Sequence, residues 1–419
     1  MVQPGGSGMK LDGLRVIDLS RFLPGPMLTQ FMVDHGAEVI KVESIDEGEP
    51  TRAIGEMRND VSVFFANTNR GKKSLALDLK RPEGVEALMR LAETSDVVVE
   101  SFRPGVAERL GVGYRQLAAR APHIIYASIS AFGQSGPYRD VAAHDLAIEA
   151  MAGVLSITHG KDGKPAIPGL PAADMMSSMV TLSAVLMALL RRKVTGQGDF
   201  IDTAMSECLL PCMTNNFGAA MTERRQPDVG RARSLGGSAL YAIYETKDGG
   251  SIALGGQEIK FAVNLLTALG RSDLIGFCKL PPGNAQEPVR AFLRETFATK
   301  TRNEWAAFFK GHDVPFAPVQ TLPEVLDDLH FRERGIVVTD ARGWDHIGNP
   351  IHFGNEPARE NFMLPALGEH SHEILRALDY SEGEITRLRN SGVTREATQD
   401  EISRHAETDK RPRARDRRE

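Results

Sequence analysis

Asp174 and the pair His144-Asp145 are the residues of this 419-residue chain whose types and spacing best suit proton transfer. Asp174 stands at the edge of an uncharged run, Met175 to Leu190, where a helix is expected to begin. Unpaired backbone N–H groups and the positive end of the helix dipole would surround a carboxylate there. An aspartate in such a place is most often only an N-cap. His144 changes that reading. It follows the turn-rich stretch Gly133-Gln134-Ser135-Gly136-Pro137-Tyr138 and can meet Asp174 across a pocket. Histidine plus aspartate is an acid/base pair able to work near neutral pH.

The elements that must position these residues begin with Leu11 to Lys80, which reads as an α/β unit. Leu14 to Leu19 is a short apolar strand, Phe22 to Pro26 a turn, Met27 to His35 a helix and Ala37 to Glu43 the next strand. This order is the signature of a parallel sheet with right-handed crossovers. Ligands of such sheets sit beyond the carboxyl ends of the strands, here the loops Ser20–Pro26 and Ser44–Arg52. No GxGxxG follows the first strand, which argues against a dinucleotide. A basic turn, Asn69-Arg70-Gly71-Lys72-Lys73-Ser74, leads into strand Leu75 to Leu79. Strand Asp96 to Glu100 follows helix 83–94, and its carboxyl end carries Ser101-Phe102-Arg103-Pro104-Gly105-Val106, with Arg109 just beyond. An aromatic and two arginines there can clamp a nucleotide.

Composition bounds the rest. The chain is 42% apolar and 25% charged, with a net charge of −5, so no basic field calls for nucleic acid. The three cysteines, Cys208, Cys212 and Cys278, suit a reducing compartment and read as core thiols; no His/Cys cluster completes a metal site. No basic n-region precedes an apolar h-region at the N-terminus, so a cytoplasmic location is expected. The run Met175 to Leu190 is short for a membrane span, and Ser177, Ser178, Thr181 and Ser183 favour a tightly packed buried helix.

Seven separated motifs resemble one family. They are Arg15-Val16-Ile17-Asp18-Leu19, Gly36 to Glu43, Asn69 to Ser74, Glu100 to Val106, Gly133 to Tyr138, Thr195-Gly196-Gln197-Gly198-Asp199 and Pro315-Phe316-Ala317-Pro318-Val319. Together, across roughly residues 9–380, they look like the family III CoA transferases (CaiB/BaiF), closest in site pattern to the α-methylacyl-CoA racemases. The resemblance implies an α/β fold: a large domain with a Rossmann-like, mostly parallel sheet formed by N- and C-terminal parts, and a small α+β domain between. Residues 1–203 would form the first part of the large domain, 204–235 a linker, 236–322 the small domain and 323–395 the return. Residues 396–419, ending in a basic stretch, would be a disordered tail. Two chains would interlock as a homodimer.

The resemblance also implies CoA as the substrate's handle, with no other cofactor, no metal and no membrane or nucleic-acid partner. Leu23, Leu77, Phe102, Arg103 and Arg109 map near adenine and pantetheine, and Arg70 and Lys73 near phosphate. Ser44 departs from the arginine that many relatives carry there, with Arg52 a candidate substitute. Asp174 maps onto the family's catalytic aspartate. In transferases that residue carries CoA between carboxylic acids as an aspartyl-CoA thioester. In racemases it is one of two acid/bases at the substrate α-carbon, and an enolate lies between the two proton transfers. Backbone N–H groups near Met175 are expected to stabilise that enolate. Ala143-His144-Asp145 matches the racemase Gly-His-Asp pattern except at Ala143, and Glu258 matches the racemase glutamate. His144 supported by Glu258, and Asp174 paired with Asp145, are therefore the expected catalytic groups. Against this, Gly255-Gly256 could form a short glycine loop of the transferase kind. A catalytically silent CoA-binding protein is the third reading.

Overall fold

A computed structural model describes residues 8–406. Six parallel strands organise the first of two compact units: β1 (Arg15–Asp18), β2 (Glu38–Glu43), β3 (Lys73–Leu77), β4 (Val97–Glu100), β5 (Ile125–Ser130) and β6 (Asp199–Ala204). They run in the order β3-β2-β1-β4-β5-β6, and a two-residue strand, Thr394–Arg395, adds antiparallel to the β3 edge. The central strands are nearly continuous apolar runs because helices cover a parallel sheet on both faces; Val16, Ile17, Val97, Val98 and Val99 are wholly buried. The fold is thus mixed α/β with a large, parallel-dominated sheet.

The strand order reverses direction between β1 and β4, and such a switch point opens a crevice beyond the strands' carboxyl ends. Three helices frame it: α1 (Pro24–Asp34), α2 (Asp145–Met151) and α3 (Ala172–Thr195). Pro24 presets the first turn of α1. Gly25 is required beside it, since a Cβ there would come within 2.1 Å of the Ser20 hydroxyl. The other expected strands and helices of this region stand within about two residues of their predicted bounds, as end-fraying allows, but α1 starts three residues early, at Pro24, inside the expected turn Phe22–Pro26.

α3 differs from expectation. It is longer than the uncharged run, and only one face is buried, with Ser177, Ser178, Thr181, Leu182, Val185 and Leu189 on it. Val180, Met187, Leu190 and Val194 on the other face are exposed. The serines allow close approach on the packed face; they do not bury the whole helix. The cysteines differ too: Cys208 is buried, but Cys212 is exposed and Cys278 half-buried.

The first unit takes in the chain up to Ala152, Leu170–Leu209 and the chain from Asp328 onward; the second takes in Gly153–Gly169 and Leu210–Asp327. The second unit holds a three-stranded antiparallel sheet, with Ser251–Gly255 between Tyr241–Glu245 and Phe316–Pro318. Its core is aromatic, gathering Tyr244, Phe297, Trp305 and Phe309, and the Trp305 indole N–H is satisfied by the Phe297 carbonyl at 2.9 Å. Part of the expected disordered tail is ordered, since Gln399–Ala406 is a helix, while the basic stretch Lys410 to Glu419 lies outside the described residues.

Candidate functional site

Two adjoining cavities open at the carboxyl ends of the sheet, of about 450 and 460 Å³. The first is lined by Ser44, Leu77, Lys80 and Phe102, among others. The second is lined by Phe22, Phe102, Arg103, Arg139, His144 and Asp174, with Ile129, Val141 and Ile148 as apolar wall. Arg21 and Phe102 belong to both, so the two cavities form one path along the strand ends.

The loop after β1 is held from below by buried charge. Asp18, Lys41, Glu49 and Lys72 are all at most 3% exposed. Asp18 pairs with Lys72 at 3.0 Å and with Lys41 at 3.5 Å, while Lys41 reaches Glu49 at 2.9 Å. Burial alone would raise Asp18, but Lys41 and Lys72, with the Ser20 and Thr29 hydroxyls, hold it well below the usual carboxylate range. Asp18 accepts the Ser20 N–H at 3.0 Å, Lys41 donates to the Ser20 carbonyl and Glu49 accepts the Phe22 N–H at 2.8 Å. Phe22 sits at φ +65°, a left-handed conformation that a bulky residue adopts only when its surroundings over-determine it. The pinned loop presents the Phe22 ring edge-on to His144, with centroids 6.0 Å apart and planes at 85°.

His144 stands at the N-cap position of α2 without a side-chain cap bond, and Asp145 and Glu149 follow on one face of that helix, four residues apart. Asp174 is the third residue of α3, not its N-cap; that place is Pro171, which has no capping side chain. The two α2 carboxylates replace the missing cap. Asp145 accepts the Asp174 N–H at 3.1 Å and Glu149 the Ala172 N–H at 2.8 Å. No cation among the described residues bonds to any of these three carboxyls. Burial, followed by the charges of Asp145 and Glu149, pushes Asp174 up to about 7. The Met175 N–H, expected to serve an enolate, is already bonded to the Pro171 carbonyl at 3.1 Å, so it is not available for that role.

The nucleotide residues divide. Phe102 and Arg103 stand in the loop after β4, where Glu100 accepts the Phe102 N–H at 2.6 Å. A Cβ on Gly105 (φ +81°) would lie 3.2 Å from the Arg109 guanidinium and 3.4 Å from that of Arg139, so both cations flank this turn. Leu77 lines the first cavity and Leu23 caps α1. Arg70 is elsewhere: 1% exposed, it pairs with Asp34 at 2.6 Å and donates to the Ile347 carbonyl. Lys73 is bound to Glu38 and Glu373 at 2.9 and 2.7 Å. Arg52, the candidate substitute at Ser44, is taken by Glu43 at 2.8 Å and lies over the Phe65 ring. Strand-end position alone did not reveal that these three cations already have partners. Glu258 lies in the second unit, at the N-cap position of Ile259–Ala268, where its carboxylate accepts the Gln257 N–H at 3.1 Å and makes no cap bond.

Glu149, Phe22 and Arg139 were not foreseen. The i, i+4 spacing from Asp145 was a legible signal for Glu149, and the expected ligand loop Ser20–Pro26 already held Phe22, whereas nothing marked Arg139.

Comparison with known proteins supplies the chemistry that this geometry serves. The model of CoA-transferase family III matches residues 11–371. The chain is 35% identical to succinyl-CoA:glutarate CoA-transferase of Mus musculus over 395 residues, covering 91% of this chain and 90% of the relative. It is also 35% identical to the alpha-methylacyl-CoA racemase of Mus musculus over 392 residues, covering 92% and 97%. Among solved structures, a CAIB/BAIF family protein from Brucella suis superposes with a TM-score of 0.78 at 31% identity, covering 89% of this chain and all of the other. Sheet order, strand-end cavities and these likenesses agree: the chain is an enzyme of CoA-transferase family III.

Proposed function

We propose that this enzyme epimerises a 2-methylacyl-CoA by 1,1-proton transfer, with Asp174 and His144 as the two acid/bases. The observation that carries the reading is a shared cavity in which His144 stands with an aspartate pushed up to about 7 and lacking a cation partner. A group that must both take and give a proton works best when its pKa lies near the working pH. In one direction the Asp174 carboxylate takes the α-proton, the electron pair moves into the thioester as an enolate, and protonated His144 delivers a proton to the opposite face. The reverse direction exchanges the roles. Asp145 partners Asp174, and Glu258 is assigned to support His144 on the family resemblance.

CoA is proposed to run along the two cavities, with Leu23, Leu77, Phe102, Arg103 and Arg109 as its contacts. Arg70 and Lys73 drop from the phosphate set because their charges are already paired. No further cofactor is invoked. A second copy of the chain is proposed to cover α3. Met176, Val180, Ser183, Met187, Leu190 and Val194 recur at 4-3-4-3-4 spacing, a largely apolar seam suited to another helix. Analytical ultracentrifugation checks it: a monomer at micromolar concentration would remove the interlocked homodimer. A reducing, cytoplasmic setting is proposed with it.

CoA transfer through an aspartyl-CoA thioester on Asp174 is the second reading. It is favoured by Arg21, Arg103 and Arg139 on the cavity wall, which suit a carboxylate acceptor. One experiment separates the two: α-deuterium uptake by a single-enantiomer 2-methylacyl-CoA in heavy water, followed by mass spectrometry with and without added free acids. Uptake and loss of optical purity without an acid support proton transfer. New CoA esters that appear only with acids, without α-exchange, overturn it. The third reading, a silent CoA-binding protein, has given way to the family assignment.

A further inference from the structure

Glu149 is completely buried and does not line the cavity, yet it sits one helical turn from Asp145. One carboxyl oxygen accepts the Ala172 N–H; the other is buried with no donor of its own and meets the Asp145 carboxyl, so only a proton shared between the two acids satisfies it. A buried polar atom left unpaired is costly, and the cost is larger for a charged group. Nothing in the fold of α2 requires an acid at this place, since a neutral amide would satisfy the same N–H. Burial and the neighbouring Asp145 push the Glu149 carboxyl up, which brings it into play with Asp174.

We propose that Glu149 is a positioning residue for Asp174, holding the first turn of α3 through the Ala172 N–H and completing, with Asp145, a three-carboxyl set. Closely set carboxyls titrate as a group, each charge making the next proton harder to remove. The other charged or titratable groups that share the cavity with Asp174 are His144, at the N-cap position of α2, and Arg21, Arg103 and Arg139. Glu149 does not touch substrate; it acts through Asp174. The inference rests on the proton-transfer reading for its catalytic consequence, but its geometry stands apart from that reading.

The test uses Glu149→Gln, which keeps an acceptor for the Ala172 N–H and removes one charge from the set. Substrate-free enzyme with 13C-carboxyl aspartate is titrated by NMR, Asp174 being assigned through Asp174→Asn. The Asp174 midpoint is expected to fall by about one pH unit, and the acid limb of the exchange profile with it. An unchanged or higher midpoint overturns the proposal. Glu149→Leu, which also removes the acceptor, is expected to lower kcat on the order of tenfold with KM little changed, whereas Glu149→Gln retains kcat at its shifted optimum. Equal kcat losses in the two variants would make Glu149 a packing residue and sink the idea. If no 2-methylacyl-CoA exchanges in the wild type, the proposed reaction fails while the NMR titration still decides on Glu149.

Discussion

Two clusters of ionisable side chains, one fully buried and one half-buried, lie at the carboxyl end of one sheet and behave in opposite ways. Beneath the β1 loop, Asp18 and Glu49 face Lys41 and Lys72, and every charge has an opposite partner. At the start of α3, Asp145, Glu149 and Asp174 face backbone N–H groups and one another. Burial penalises the charged form in both places. Paired lysines overcome that penalty in the first cluster and keep Asp18 ionised. In the second the helix N-terminus offers only partial positive charge, so Asp174 is pushed up to about 7. Full pairing makes a scaffold; incomplete pairing makes a group that can exchange a proton at neutral pH.

The strongest way to break this comparison is Asp174→Asn. Exchange at the substrate α-carbon is expected to fall on the order of 10³-fold, the scale of a lost general acid/base. The same substitution is expected to raise stability at neutral pH. The folded-state pKa of Asp174 lies above its unfolded value, so the native state holds the proton more tightly and loses relative stability as pH rises from about 4 towards 7. Denaturant melts at pH 4 and pH 7 check the sign. A gain confined to the higher pH is expected, and equal melting differences at both would contradict the account of Asp174.

Lys72→Met should do the reverse. It leaves Asp18 with Lys41 alone, and breaking a buried pair from one side costs about 3–5 kcal/mol. Exchange by the fraction that remains folded should be little changed. Asp18 lies below its unfolded value, so its contribution is present above about pH 4 and disappears as pH falls through the folded value. Acid unfolding of the wild type should therefore steepen below pH 4, and Lys72→Met should flatten that limb. A variant that melts like the wild type would show that the network is not what holds the loop.

The pH dependence of exchange sharpens the contrast without any substitution. In the direction where Asp174 takes the proton, kcat/KM should rise to a shoulder near pH 7, the pKa of that group in free enzyme. A limb near pH 4 would mean that substrate-free Asp174 is an ordinary carboxylate.

Local pattern made the sheet legible. Short β-branched runs such as Val97-Val98-Val99 and the strand–turn–helix order around Pro24 fix β1 to β4 and the crevice between them. His144, Asp145 and Asp174 were legible as residue types, and α2 and α3 bring them to one place. Three things were not. The cations Arg52, Arg70 and Lys73 looked available because residue type does not show which acid each meets: Glu43 for Arg52, Asp34 for Arg70, and Glu38 with the distant Glu373 for Lys73. Gly153–Gly169 leaves the first unit for the second, and its glycines and prolines mark turns without saying to which unit the segment belongs. The role of Glu149 depends on which backbone N–H it meets, and periodicity does not carry that information.

Phe22 offers the finest cut, because it links the two clusters. Its N–H is held by Glu49 in the charged network, and its ring edge meets His144. Edge-to-face aromatic contacts contribute about 0.5–1.5 kcal/mol, so Phe22→Leu should slow exchange about two- to tenfold if the contact orients the imidazole. Phe22→Gly removes the ring and also relaxes a backbone at φ +65° that glycine adopts freely. It should match the leucine variant in rate while melting no lower, since the relieved strain offsets the packing lost. If Phe22→Gly instead exchanged as fast as the wild type, His144 would be held by α2 alone, and the paired network would support the cavity without reaching its chemistry.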